Sequence, residues 1–212
     1  MALAKQAKIL NPDQLALLLN DAASSRNPTR DRLIILLSFK AGLRACEIAN
    51  LSWSMVTDAS GDVADTIALT DAASKTVKNR NMRRSSGGGR NIPMHPMLQA
   101  TIEAMKGTPT PHFARRGGWP QPTDPVCPSE QGRYSPNAIA VWFHLKFKKL
   151  GLQGASSHSG RRTFITQAAR AIIRAGGSLH DVQVLAGHRS LFVTQRYIEP
   201  DAPAQRRIVN ML

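Results

Sequence analysis

Apolar residues recur with helical spacing near the start of the chain. Leu15, Leu18, Leu19 and Ala22 fall on one face of a helix, because residues three or four apart are neighbours on its surface. Asn11 precedes this run and is followed by a proline suited to the first turn and by a glutamine that completes a capping-box pattern. The pattern predicts an opening helix that begins directly after Asn11.

The same period continues along most of the chain and predicts further helices. Gly42 is suited to end one of them, since glycine commonly follows the last turn of a helix. Ser178, followed three residues later by Asp181, forms a second capping-box pattern. The predicted helices cover residues 30–40, 43–51, 95–107, 135–150, 158–173 and 179–186.

Short apolar stretches of a different character predict strands. They are WSMV at 53–56, DTIAL at 65–69 and RNIPM at 90–94, with the turn DASGD between the first two. Residues 107–133 are rich in proline and glycine and are interpreted as a loop within the domain. The predicted fold class is α+β, mostly α, with a small three-stranded antiparallel sheet.

The chain is strongly basic, with 28 Lys and Arg residues against 14 Asp and Glu in 212 residues and a formal net charge of +14. Such an excess favours a polyanionic partner, nucleic acid first and an anionic membrane surface second. No apolar run approaches the roughly 20 residues that span a bilayer, and the N-terminus lacks a secretory signal pattern. Cys46 and Cys127 stand far apart, which supports neither a disulfide nor a zinc site. We therefore expect a soluble cytoplasmic protein with no membrane attachment.

Five polar residues stand in otherwise apolar helical surroundings. Arg44 opens a short helix, His158 and Arg161 have HxxR spacing, His188 follows a glycine at a helix end, and Tyr197 comes nine residues later. Taken singly, each has an ordinary explanation, such as a solvated arginine, a capping histidine or a half-buried tyrosine. Their joint order along the chain is the informative feature.

The three segments that carry these residues resemble the tyrosine recombinase (phage integrase) family. GLRACEIANLSW is similar to the family's first arginine box, SSHSGRRTFIT to its second, and LAGHRSLFVTQRY to its third box with the nucleophile. The resemblance covers the whole chain. It implies the family's catalytic-domain fold and a site-specific recombinase or integrase that cleaves and rejoins double-stranded DNA through a 3′-phosphotyrosyl intermediate. It implies no metal and no nucleotide cofactor.

The chemistry of phosphodiester cleavage explains why these residue types belong together. A free phenol has a pKa of about 10, so Tyr197, the implied nucleophile, needs activation. Arg44 and Arg161 would offer donors matched to the non-bridging oxygens, where negative charge develops. His158 would accept or relay the tyrosyl proton, and His188 would donate a hydrogen bond to the same phosphate.

An acid and a lysine complete the implied site. Glu47, one helical turn beyond Arg44, would hold a basic group in position. In the family a hairpin lysine protonates the leaving 5′-oxygen; Lys75 is the first candidate and Lys78 the second, while both could instead contact backbone phosphates. Gly160 stands where the family's HxxR box generally carries an apolar residue, and we expect it to loosen one packing contact.

Two basic stretches are candidate DNA-facing surfaces. KNRNMRR follows the second predicted strand, and FHLKFKK lies on the predicted helix 135–150. Either could be only a solvated basic face, which is the simpler explanation for FHLKFKK. The candidate DNA-binding residues are Lys78, Arg80, Arg83, Arg84, Lys146, Lys148 and Lys149.

The family usually carries an N-terminal helical core-binding domain, whereas this chain begins almost directly at the catalytic domain. We expect residues 1–212 to form a single catalytic domain, either as a short member of the family or as a piece of a longer protein. The tail at 198–212 would dock onto a neighbouring subunit or pack on its own chain. The resemblance further implies a tetrameric synapse on DNA, with a monomer when free.

Two rival functions stand beside strand exchange. A type IB topoisomerase-like enzyme would use the same nucleophile chemistry to relax DNA, but the short spacing from His188 to Tyr197 favours a recombinase. A non-catalytic DNA-binding module would keep the fold alone. The presence of all five boxed residues argues against that module.

Overall fold

Helices make up most of the structure, a computed structural model that describes residues 6–74, 89–108, 110–114, 120–172, 174–197, 205–206 and 209–210. Each predicted helix is present, with ends within two residues of those expected. In chain order the helices are α1 (Pro12–Ala23), α2 (Pro28–Lys40), α3 (Ala45–Asn50), α4 (Asp71–Ser74), α5 (Pro96–Lys106), α6 (Pro111–Ala114), α7 (Pro136–Lys149), α8 (Ser159–Ala171), α9 (Leu179–Ala186) and α10 (Leu191–Gln195). Among the described residues, none of these helices has both the length and the apolar character that a bilayer crossing needs.

The core is built around α2. Residues 33–37 have no accessible surface, so this helix is covered on every side. Helices α1, α5 and α8 pack against it. Gly42 follows the last turn with a left-handed φ of 64°, as predicted, and Leu43 then donates a backbone hydrogen bond to Leu37 over 3.0 Å. This sharp turn sends the chain directly into α3 and fixes where Arg44 begins it.

The predicted capping boxes are both confirmed. Asn11 Oδ1 accepts from the backbone nitrogen of Gln14 at 2.9 Å, and Gln14 Oε1 accepts from that of Asn11 at 3.1 Å. At α9 the carboxylate of Asp181 accepts from the backbone nitrogen of Ser178 at 2.7 Å. Each box satisfies N–H groups that a helix start otherwise leaves unpaired.

The sheet has two strands rather than the three predicted. Strands β1 (Thr66–Leu69) and β2 (Arg90–Pro93) pair antiparallel. The segment predicted as the first strand instead forms a 3₁₀ turn at Trp53–Met55, in which Val56 N and Thr57 Oγ1 both donate to the carbonyl of Trp53. The residues that flank this turn form only isolated antiparallel bridges, Ser52 with Pro125 and Thr57 with Val63, and the apolar spacing alone did not reveal the turn.

Residues 107–133 contain more structure than the predicted loop. Beside α6, a second small hairpin pairs β3 (Pro128–Ser129) with β4 (Gly132–Arg133). The buried carboxylate of Asp124 ties the segment together, since it accepts from the backbone nitrogen of Gln121 at 2.8 Å and lies 3.4 Å from the His112 ring. Hydrogen bonds to the Asp124 side chain therefore stabilise the conformation of this segment.

Gly160 lies where α8 crosses α2. A Cβ atom at this position would come within 2.2 Å of Ser38 Oγ and 2.8 Å of a ring carbon of Phe39. The backbone of α8 therefore packs on the side chains of Ser38 and Phe39 at a distance that leaves no room for a Cβ atom. The expectation of a loosened contact is wrong, because the missing side chain brings the helices together instead of leaving a gap.

We expect Gly160→Ala to lower the free energy of unfolding by roughly 1–3 kcal/mol, since the added methyl overpacks this crossing. Gly107→Ala is the matched control: its φ of −84° suits any residue, and its added Cβ would meet nothing nearer than 3.9 Å. The control should be neutral or slightly stabilising. Urea unfolding followed by circular dichroism measures both, and equal stabilities would contradict the close crossing.

Candidate active site

The carboxylate of Glu47 lies at the centre of the site, on α3 and without accessible surface. It accepts from the backbone nitrogen of Arg44 at 2.8 Å and from Arg44 Nη1 at 2.9 Å. Arg90 binds it through two parallel bonds, Nη1 to Oε1 and Nη2 to Oε2, both 3.0 Å long. Arg161 Nη1 lies 3.9 Å from Oε2. One buried acid therefore contacts three guanidiniums.

The charge of Glu47 is held firmly by these partners. Burial alone would raise the pKa of this carboxyl, but the hydrogen bonds and charge of Arg90, the backbone bond from Arg44 and the charge of Arg161 together lower it to about 2. Glu47 is therefore ionised at neutral pH and serves as the fixed counter-charge of the arginines.

Arg161, in the first turn of α8, is 3% exposed. Its Nη1 donates to the carbonyl of Gly42 at 2.6 Å, and its Nη2 donates to that of Ala186. Burial, and next the charge of Arg44, lower the pKa of Arg161 to about 10 against the opposing effect of Glu47, so it remains charged at neutral pH. Its buried Nε finds no acceptor among the described residues.

His188 directly follows the end of α9 and is 9% exposed. Its Nδ1 lies 2.9 Å from the hydroxyl of Thr194, and its ring stacks on that of Tyr197 with centroids 5.2 Å apart and an interplanar angle of 28°. Burial and then the charges of Arg161, Arg44 and Arg90 lower the pKa of His188 to about 4. The imidazole is therefore neutral at physiological pH.

Tyr197 is half-buried just beyond the five-residue helix α10. Its backbone nitrogen donates to the carbonyl of Thr194 at 3.0 Å, and its own carbonyl accepts from Thr166 Oγ1 at 3.0 Å. The residue packs on a small apolar cluster centred on Ile165 and Val182, which is separate from the main core. Backbone contacts and stacking thus position the phenol.

A cavity of about 350 Å³ opens beside Tyr197. His158, exposed at the N-cap of α8, and the buried Arg161 share its lining with the tyrosine. Arg44, with 35% of its side chain exposed, and His188 lie outside this lining and reach the group through Glu47 and through the stacked rings. Three of the five boxed residues therefore line one cavity, and the other two adjoin them through Glu47 and the stacked rings.

The remaining candidates lie elsewhere. Lys146 Nζ lies 2.6 Å from Asp21 and 3.7 Å from Asp31, and Lys149 also binds Asp21, so carboxylates on α1 and α2 already pair these two amines. Lys148 is exposed on α7. Their contact with DNA stays a prediction. Lys75, Lys78, Arg80, Arg83 and Arg84 lie outside the described residues.

Arg90 is the site residue that sequence reasoning missed. It opens β2 after a glycine-rich stretch, and its side chain is 7% exposed. None of the three boxes contains it. The available signal was Glu47 in the first box, since a buried acid needs a basic partner, but only the fold shows which arginine supplies it.

This geometry joins a half-buried tyrosine to a cluster of arginines on a mostly helical fold, and comparison with known proteins shows the family to which the chain belongs. The phage integrase family profile matches residues 8–203, and the chain belongs to this family. Tyrosine recombinase XerC of Syntrophus aciditrophicus (strain SB) is 25% identical over 199 residues, which cover 89% of this chain and 55% of that protein. XerC of Xylella fastidiosa (strain 9a5c) is also 25% identical, over 94% of this chain and 58% of its own. The chain therefore spans little more than half the length of these relatives.

Solved structures confirm the fold class. The crystal structure of XerA recombinase superposes with a TM-score of 0.68 at 22% identity, covering 97% of this chain and 65% of that one. The Tn1549 transposon integrase in complex with a circular intermediate DNA gives a TM-score of 0.71 at 17% identity, over 99% of this chain and 67% of that one. The fold is that of tyrosine recombinase catalytic domains.

We expect Glu47→Gln to lower the free energy of unfolding by roughly 3–5 kcal/mol at pH 7, because it leaves buried guanidiniums without their counter-charge. The pKa of Glu47 falls from 4.5 to about 2 on folding. Its stabilisation is therefore complete above about pH 4.5 and lost as the pH falls towards 2.

The gap in the free energy of unfolding between wild type and Glu47→Gln should thus stay constant from pH 7 to about pH 5 and become smaller below pH 5. Urea titrations across this range measure the gap. Glu103→Gln, an exposed position on α5, is the control and should change stability little at any pH. A gap that widened on acidification would contradict the assigned role of Glu47.

Proposed function

We propose that this chain is a site-specific DNA recombinase, which cleaves and rejoins double-stranded DNA through a 3′-phosphotyrosyl intermediate. One observation carries the proposal: Tyr197, Arg161 and His158 line one cavity, and His188 stacks on the same tyrosine. Family membership and the likeness to tyrosine recombinases support it.

The arginines would bind the scissile phosphate before reaction. Arg161 is fixed by two carbonyls and keeps Nε as a buried donor, while Arg44 is partly exposed beside it. Guanidiniums held in advance within a desolvated pocket need little rearrangement as negative charge grows on the non-bridging oxygens. They stabilise the transition state more than the ground state, which is what accelerates the step.

The covalent step would be an in-line substitution at phosphorus. The phenolic oxygen of Tyr197 forms a bond to phosphorus, its proton passes to His158 or is relayed by it, and the bond from phosphorus to the 5′-oxygen breaks. The departing 5′-oxygen takes its proton from Lys75, with Lys78 as the alternative donor. Rejoining reverses each transfer. The phosphotyrosyl bond retains the energy of the original linkage, so the proposal includes no metal and no nucleotide cofactor.

His188 would act as a neutral hydrogen-bond donor to the phosphate. A pKa of about 4 leaves the ring with a single proton at neutral pH. If the Thr194 hydroxyl donates to Nδ1, that proton resides on Nε2, on the other side of the ring. Thr194 then sets the tautomer that a phosphate oxygen requires.

Strand exchange requires more than one copy on DNA, and we propose a tetrameric synapse assembled from chains that are monomeric when free. The tail at 198–212 would contribute by docking onto a neighbouring subunit. The family to which the chain belongs supports this assembly.

Tyr197→Phe tests the nucleophile, because it removes one oxygen while keeping the ring that stacks on His188. The substrate is a nicked suicide duplex whose site is first mapped by covalent capture from a genomic DNA library. We expect the variant to bind this duplex like wild type and to form no covalent adduct on a denaturing gel. A persistent adduct would remove Tyr197 from its role.

The same preparation separates recombination from DNA relaxation. Wild type should exchange strands between two paired sites, and Tyr197→Phe serves as the inactive control. Relaxation of supercoiled DNA without exchange would instead indicate a topoisomerase, and binding without any adduct would indicate a non-catalytic module.

We expect Thr194→Val to slow adduct formation by roughly tenfold or more, since His188 loses the partner that fixes its tautomer. The single-turnover rate at saturating DNA and the dissociation constant are measured separately, and only the rate should change. Thr101→Val is the control, because Thr101 is equally buried on α5 and bonds the Met97 carbonyl instead. Equal rates in both variants would exclude a role for Thr194.

A further inference from the structure

Arg90 connects two helices, α3 and α9, that are far apart in sequence. Its Nη1 and Nη2 bind Glu47 on α3, and its Nε donates over 3.0 Å to the carbonyl of Leu185 in the last turn of α9. All three nitrogens of the guanidinium thus donate inward, and the side chain is 7% exposed. A group so placed acts on its neighbours and not on DNA directly.

We propose that Arg90 is a positioning residue for DNA cleavage, which fixes the spacing between the arginine-bearing start of α3 and the histidine-bearing end of α9. This inference rests on the proposed function. On the α3 side, Arg90 fixes the carboxylate that Arg44 binds. On the α9 side, it holds the turn that ends three residues later at His188.

The turn before His188 is shaped around this guanidinium. Gly187 has a left-handed φ of 61°, and a Cβ there would lie 2.9 Å from Arg90 Nη1 and 3.0 Å from its Cδ. Position 187 therefore requires glycine for two reasons: its backbone is left-handed, and the Arg90 side chain leaves no room for a Cβ atom. The glycine of the third box and an arginine nearly a hundred residues earlier form one structural unit.

Electrostatics strengthens the link between Arg90 and α9. The carbonyls of Leu185 and Ala186 accept from Arg90 and Arg161 respectively, and they lie at the negative end of the helix dipole. Two cations therefore hold the helix end by charge as well as by geometry. The charge of Arg90 also adds to those of Arg161 and Arg44 in keeping the pKa of His188 low.

Arg90→Met tests the proposal, because methionine keeps much of the side-chain volume and removes the three donors. The matched control is Arg133→Met. Arg133 lies on the other hairpin, in β4, and likewise donates to two backbone carbonyls, those of Ala49 and Thr123. Three quantities are measured for each: the single-turnover rate of adduct formation on the nicked duplex, the dissociation constant for that duplex, and the His188 titration by nuclear magnetic resonance.

We expect Arg90→Met to lower the rate roughly 10- to 100-fold with DNA affinity within about twofold, because the reacting groups lose their spacing. The midpoint of the His188 titration should rise. The double variant Arg90→Met with Glu47→Gln should lose less rate, on a logarithmic scale, than the sum of the losses in the two single variants. Both changes act through the same contact, so their effects are not additive. Arg133→Met should change neither the rate nor the titration.

The proposal is overturned if Arg90→Met matches Arg133→Met in rate and leaves the His188 titration unchanged. If Arg90→Met does not fold, Arg90→Lys decides, since lysine keeps the charge but cannot bind Glu47 and Leu185 together. A wild-type rate in Arg90→Lys would then overturn the proposal. If wild type itself forms no adduct, the proposed function fails, and the His188 titration alone decides whether Arg90 positions the end of α9.

Discussion

The site depends on one buried carboxylate surrounded by guanidiniums. Glu47 has no accessible surface and contacts Arg44, Arg90 and Arg161. Without it, three like charges would share a space from which water is largely excluded, and their repulsion would oppose folding. With it, the group stays together and still carries excess positive charge. The buried acid therefore neutralises its arginines only in part.

The surrounding helices supply main-chain acceptors to the arginines. Gly42 follows α2, while Leu185 and Ala186 end α9, and their carbonyls receive bonds from two guanidiniums. Helix ends normally leave such carbonyls in need of partners. The same bonds therefore complete the secondary structure and orient the cations, which links the stability of the fold to the geometry of the site.

Features that depend on residues close together in the sequence could be predicted. Features that depend on contacts between distant parts of the chain could not. The capping boxes at Asn11 and Ser178 and the helix periods are local patterns that the structure confirms, and the family match confirms the resemblance that the three boxes indicate. Trp53–Met55 was mistaken for a strand because apolar spacing does not show hydrogen bonds that close within a turn. Arg90 escaped notice because its partners lie 43 and 95 residues away along the chain.

Gly160 was misjudged for a related reason: a missing side chain can mean a gap or a close approach, and only the opposite helix decides. The residues that decide it, Ser38 and Phe39, lie on a helix far earlier in the chain.

The close crossing at Gly160 has a consequence for how such a protein can evolve. Arg161 is the next residue, so its α-carbon is set by this crossing, where α8 packs on the side chains of Ser38 and Phe39. Core residues further from this crossing can then change in size during evolution. Such changes would alter the melting temperature more than the position of Arg161. A lineage could therefore diverge widely in amino-acid composition while the position of this arginine is kept.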